Sequence, residues 1–180
     1  MFTRRSTLAL GLHAIAGEFS PDPNRRVFNV ERGDWMELLR VLVGEDYLPF
    51  RRFICSVLER TPNLQVIGEA SAGIEAVRKA EELQPNLILL DIGLPTLNGI
   101  EAARQIRKLS PESKIIFVSQ ESSADIVKEA FRVGASAYVV KTKAQIDLPA
   151  AVDAVLGGRQ FVSVGLLGKN FTDVPSASGF

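Results

Sequence analysis

Only one cysteine, Cys55, and one histidine, His13, occur in 180 residues. A lone cysteine excludes an internal disulfide framework and a cysteine-rich zinc site. Cys55 lies among Phe53, Ile54 and Val57 in a helix-like segment, where a small buried hydrophobe is its simplest role. His13 is far along the chain from every other candidate residue, which argues against histidine acid–base chemistry. An excess of one charge is also missing. Lys plus Arg number 21 and Asp plus Glu number 21, so no basic field advertises nucleic acid. No apolar run approaches the roughly 20 residues of a membrane span, and a cytoplasmic location is expected. What remains is an ordinary globular composition, 46% hydrophobic and 23% charged, with length for one domain and extra sequence at its ends.

The ends read differently from the middle. Residues 1–36 are expected to form a disordered N-terminal extension. Arg4-Arg5 ahead of Leu8 to Ala16 faintly imitate an export signal, but Gly11 and His13 interrupt it. Ser20 to Arg26 is turn-rich, and Met36, just before the first strand run, is a candidate biological start. Residues 161–180 form a short tail of mostly Gly, Ser and small apolar residues, too short for a domain.

Residues 37–160 alternate strand and helix signals. Strand runs cover 38–43, 64–68, 86–90, 114–119 and 137–140. A helix opens at Pro49, with Phe50, Phe53, Ile54, Val57 and Leu58 at helical spacing. Others are predicted from about Ala72, over Asn98 to Leu109, from a capping box at Ser122 to Asp125 as far as Gly134, and over Pro149 to Leu156. Short connections between alternating elements imply an α/β fold: a doubly wound, five-stranded parallel sheet with helices on both faces, flavodoxin-like (βα)5.

The strand ends carry the chemistry. The first run ends in Gly44-Glu45-Asp46, the third in Asp91, the fourth in Ser119 and the fifth in Lys141. Ligands of open α/β sheets bind at the C-terminal mouth of the strands. Glu45, Asp46 and Asp91 would form a hard oxygen cage suited to Mg2+. Asp91 is a metal ligand or a nucleophile that forms an aspartyl-phosphate. Ser119 alone reads as a strand-end polar residue and Lys141 alone as a surface lysine. Together at successive strand ends they would serve a phosphoryl group's oxygens.

With these residues in order, the chain resembles the receiver domain of two-component response regulators, nearest those joined to a LuxR-type helix-turn-helix. The matching stretches are Val41 to Asp46, Leu89 to Gly99 (with Asp91, Pro95 and Gly99 at fixed spacing), Val118-Ser119 and Gly134 to Lys141. The resemblance implies that Asp91 accepts a phosphoryl group from a sensor histidine kinase or a small phosphodonor. It implies Mg2+ on Asp46, on Glu45 mainly through water, on Asp91 and on the Gly93 carbonyl. Lys141 would contact phosphoryl oxygens, Ser119 would move toward the phosphate and Tyr138 would rotate inward behind it. The readout would be a protein-interaction face on the fourth helix, fifth strand and last helix, also open to homodimerisation.

Glu45 stands where Asp is commoner in this family, and Gln120 stands where a small residue is usual. Relatives of this type carry a DNA-binding domain, whereas the tail here offers only Arg159 and Lys169 as bases. Direct DNA binding by this chain is therefore not expected. The expectation is a single-domain regulator, or one whose output has been lost, acting on an unknown downstream protein without turnover of an external substrate. The alternatives are a phosphorylation-independent pseudo-receiver and a haloacid-dehalogenase-like phosphatase. The latter resembles D-x-D at its nucleophile, and Gly93 occupies the second acid position here.

Overall fold

Four consecutive leucine and isoleucine side chains, Leu87 to Leu90, are each 0% exposed, which requires cover on both faces of the strand that carries them. The computed structural model describes residues 26–29, 34–61 and 63–163. A hairpin, β1 (Arg26–Asn29) with β2 (Asp34–Glu37), precedes β3 (Leu39–Gly44), α1 (Leu48–Leu58), β4 (Leu64–Ala70), α2 (Gly73–Leu83), β5 (Leu87–Leu90) and α3 (Gly99–Leu109). Then follow β6 (Lys114–Ser119), α4 (Ala124–Arg132), β7 (Ala137–Val140), a 3-10 turn over Lys141–Lys143, α5 (Ala144–Leu156) and β8 (Phe161–Val162).

The main sheet is parallel in the order β4-β3-β5-β6-β7-β8. Side chains alternate across it, so two cores form. Leu42, Ile88, Leu90, Ile115, Phe117 and Tyr138 meet α2, α3 and α4 on one face. Val41, Val43, Leu87, Leu89, Ile116, Val118 and Val139 meet α1 and α5 on the other. The strand order reverses between β3 and β5, whose register sets Gly44 beside Leu90. The crevice at that switch point opens directly above Glu45 and Asp91.

All five expected strands and helices are present. A sixth strand, β8, forms at the start of the segment expected to be a short tail. It gains its place because Ser163 closes the pairing: its N–H donates to the Tyr138 carbonyl at 2.9 Å, and its Oγ accepts from the Val140 N–H at 3.0 Å. All of the hairpin β1–β2 but Glu37 lies in the stretch expected to be disordered. Val27, Phe28 and Trp35 are strand formers, a local preference outweighed in the reading by the turn-rich residues before them. The apparent export signal, Arg4 to Ala16, lies outside the described residues, as do those after 163.

Helix starts also shift. The N-cap of α4 is Ser123, whose Oγ accepts from the Ile126 N–H at 3.4 Å. The third helical position is then Ile126, not an acid, so a simple serine cap replaces the capping box. Helix α5 starts at Ala144 and runs through Pro149 instead of starting there. Proline forfeits its bond to the carbonyl of residue 145, but both Pro149 and Gln145 lie on the exposed side. Burial of Ala144, Leu148, Ala151 and Val152 holds that helix together.

One close approach fixes the loop after β5. A Cβ on Gly99 would stand 2.1 Å from the Asp91 carbonyl oxygen, so α3 can start there only with glycine. Gly158, at φ +74°, has open space around it. Gly158→Ala should therefore cost only the left-handed penalty, about 1–2 kcal/mol. Gly99→Ala should cost more, about 2–4 kcal/mol, through displacement of backbone. Urea unfolding midpoints of the two variants check the order.

Candidate functional site

Lys141 leaves β7 in a 3-10 turn, and its ammonium crosses the crevice. Nζ lies 2.8 Å from Asp91 Oδ2, 2.9 Å from Glu45 Oε1 and 2.7 Å from Glu45 Oε2. Only Oε1 has hydrogen-bond geometry toward the amine, and it also accepts from the Tyr47 N–H at 3.2 Å. Glu45 Oε2 is buried without a hydrogen-bond donor. The backbone sets these carboxylates in place: the Asp91 N–H donates to the Gly44 carbonyl at 2.8 Å, and the Glu45 N–H to the Ala70 carbonyl at 2.9 Å.

Glu45 is 0% exposed and Asp91 6%, whereas the neighbouring Asp46 faces solvent. Oxygens of all three lie within 4.8 Å of one another. Burial pushes the Glu45 carboxyl above its ordinary value. The Lys141 hydrogen bond opposes this and the Asp91 charge adds to it. Burial lowers the Lys141 ammonium, but its bonds to Asp91 and Glu45 outweigh that, so its net shift is upward. The ammonium therefore stays charged as the bridge between two acids.

An open cleft of about 800 Å3 lies over these groups, walled by Phe50, Ile92, Gly93, Ser119 and Gln120. Gly93 keeps it open, because a Cβ there would stand 3.3 Å from Asp91 Oδ2. Ser119 is 2% exposed at the end of β6 and lines the cleft. Its Oγ accepts from the Glu121 N–H at 3.2 Å. Tyr138 is fully buried, and its hydroxyl donates to the Glu121 carbonyl at 3.0 Å. Ser119 and Tyr138 are thus tied to the same residue of the loop after β6. Tyr138 already lies inward, its ring centroid 6.3 Å from that of Phe117.

The sequence-predicted Glu45, Asp46, Asp91, Gly93, Ser119 and Lys141 all reach this one crevice, with Tyr138 behind it. Two residues of α1 were missed as site components. The Arg51 guanidinium donates to the Glu45 carbonyl at 2.6 Å and pairs with Glu69 at 2.8 Å. Phe50 carries the Lys141 ammonium over its ring, 4.9 Å from the centroid. The signal was available: Pro49 places the first turn of α1 just after Asp46, and first-turn side chains lean back over the strand that precedes them.

Residues 41–153 match the response regulator receiver domain family, and the chain belongs to it. The transcriptional regulatory protein LiaR of Bacillus subtilis is 35% identical over 132 residues, covering 73% of this chain and 63% of LiaR. The chemotaxis protein CheY of Thermotoga maritima is 37% identical over 102 residues, covering 57% of this chain and 84% of CheY. The crystal structure of a LuxR-family two-component response regulator from Aurantimonas sp. SI85-9A1 superposes with a TM-score of 0.69 at 31% identity. It covers 72% of this chain and 93% of that one. The chain spans about three fifths of the length of LiaR and of the GacA response regulator of Pseudomonas viridiflava. Among the described residues, no helix is long and apolar enough to cross a membrane.

Burial raises the Tyr138 phenol to about 12, with the Ser119 hydrogen bond opposing and the charges of Glu121 and Asp91 adding. The folded protein keeps the proton that the unfolded chain loses near pH 10. The corresponding stabilisation is complete below pH 10 and is lost as pH rises through about 12. Unfolding free energies measured across that window should fall more steeply for the wild type than for Tyr138→Phe.

Proposed function

We propose that this receiver accepts a phosphoryl group on Asp91 from a phosphohistidine of a sensor histidine kinase, and that the new charge switches a protein-interaction face. The observation that carries the reading is Lys141 bridging Glu45 and Asp91, with Asp46 and Ser119 on the same cleft. A metal fits the residues present. The carboxylates of Glu45, Asp46 and Asp91, with oxygens within 4.8 Å of one another, offer the hard oxygens Mg2+ prefers, and Lys141 is the cation already set among them. Glu45, Asp46 and Asp91 would hold it, with the Gly93 carbonyl as a backbone ligand. When bound, Mg2+ supplies charge neutralisation at the phosphoryl oxygens.

The chain's own groups then act in order. The Asp91 carboxylate attacks phosphorus, and a P–O bond forms as the donor's P–N bond breaks. The imidazole departs with the bonding pair and takes up a proton from solvent. Lys141 pairs with one phosphoryl oxygen, and the Ser119 hydroxyl donates to another once it turns from Glu121. That turn loosens the loop joining Ser119 to Tyr138, a two-state element biased by the new charge. The readout face is α4, β7 and α5, open to a downstream protein or a second copy of the chain. Water attack on the aspartyl-phosphate returns the carboxylate and inorganic phosphate, so no external substrate is turned over. These steps suit a cytoplasmic signalling partner.

A phosphorylation-independent interaction module is the second reading, drawn from Gln120 on the cleft wall and the longer Glu45 in the acid pair. Incubation with Mg2+ and acetyl phosphate decides between them by intact-protein mass. The expected result is a gain of one phosphoryl group in the wild type, with none in Asp91→Asn and none after chelation of the metal. A wild type that gains nothing supports the second reading, and a gain that persists in Asp91→Asn refutes Asp91 as acceptor. Steady turnover of p-nitrophenyl phosphate would mark a phosphatase instead.

A further inference from the structure

Lys141 reaches the cleft on a flexible four-carbon stem, and its side chain is 11% exposed at the rim. Two of its three anchors are Glu45 and Asp91. Both change during the proposed reaction, since a metal competes for the same oxygens and phosphorylation consumes a carboxylate oxygen of Asp91. The third anchor is the face of Phe50, 4.9 Å from Nζ. Phe50 is neither a proposed metal ligand nor a reacting group, so its ring stays available to the ammonium when the carboxylates are engaged.

We propose that Phe50 is a positioning residue whose ring keeps the Lys141 ammonium in the cleft while its carboxylate partners are taken up by metal and phosphoryl group. This rests on Asp91 being the phosphoacceptor. The ring is itself held in place. The Phe50 N–H donates to the Tyr47 carbonyl at 3.0 Å in the first turn of α1, and Phe53 packs against the ring at 5.5 Å between centroids. Both rings pack on the core face shared with α5. A core role alone would ask only for apolar bulk, which leucine supplies. A role toward the ammonium asks for a π face, which tyrosine retains and leucine lacks.

The test compares Phe50→Leu and Phe50→Tyr with the wild type in two measurements. In the metal-free protein, NMR of the Lys141 ε-methylene protons should show a ring-current upfield shift in the wild type and Phe50→Tyr, and none in Phe50→Leu. At saturating Mg2+, phosphorylation by acetyl phosphate should slow about 2- to 30-fold in Phe50→Leu, the range a cation over an aromatic face is worth. Phe50→Tyr should stay within about twofold of the wild type, with apparent Mg2+ affinity similar in all three. Leucine reacting as fast as phenylalanine, tyrosine as slow as leucine, or an unchanged methylene shift in Phe50→Leu would overturn the assignment. A wild type that takes no phosphoryl group ends the phosphoacceptor reading, and the methylene shift then decides the ring contact alone.

Discussion

Two carboxylates buried side by side would repel each other and resist ionisation without a cation between them. Lys141 is that cation, 50 residues from Asp91 and 96 from Glu45 along the chain. Each buried charge carries a desolvation penalty of several kcal/mol, which only close pairing offsets. The arrangement therefore demands that three strand ends meet closely enough for hydrogen bonds of 2.8–2.9 Å. Parallel strands with right-handed crossovers meet that demand, because every strand delivers its C-terminal residue to the same edge of the sheet. The reversal of strand order between β3 and β5 then opens space above the pair.

The same edge ties the cleft to the loop after β6. The backbone of Glu121 gives its N–H to Ser119 and its carbonyl to Tyr138, so one residue links a cleft hydroxyl to an inward aromatic ring. Neither bond belongs to the sheet ladder. They are local contacts on a loop, whereas the strands beneath are buried on both faces. Under the proposed function, a buried sheet below and a loop held by these two local bonds above would let a new charge at Asp91 be felt at Tyr138.

Much of this was legible in the sequence. The strands were, because aliphatic runs such as Leu87 to Leu90 admit few other readings, and the acids, serine and lysine were, because each directly follows such a run. The missed features share a cause: they depend on tertiary partners. Pro149 looked like a helix start, yet buried Ala144 and Leu148 extend α5 ahead of it. Phe161-Val162 looked like tail until Ser163 bonded to β7. Phe50 fitted a helical apolar stripe, and nothing in that periodicity distinguishes a ring over a hydrophobic core from a ring beneath an ammonium.

The margins of the main sheet show how it avoids recruiting foreign strands. On one side β8 is two residues long, about as brief as an edge can be, and it covers β7. On the other, β4 is irregular, with a break in register against β3 between Val41 and Leu42. Its outer half is also guarded by charge: Glu69 pairs with Arg51, and the Lys79 amine donates to the Glu69 carbonyl. Among the described residues, neither flank offers a long, flat, uncharged template. An edge that is short, irregular or charged gives a neighbouring copy of the sheet little to pair with, which disfavours strand-by-strand fibre growth.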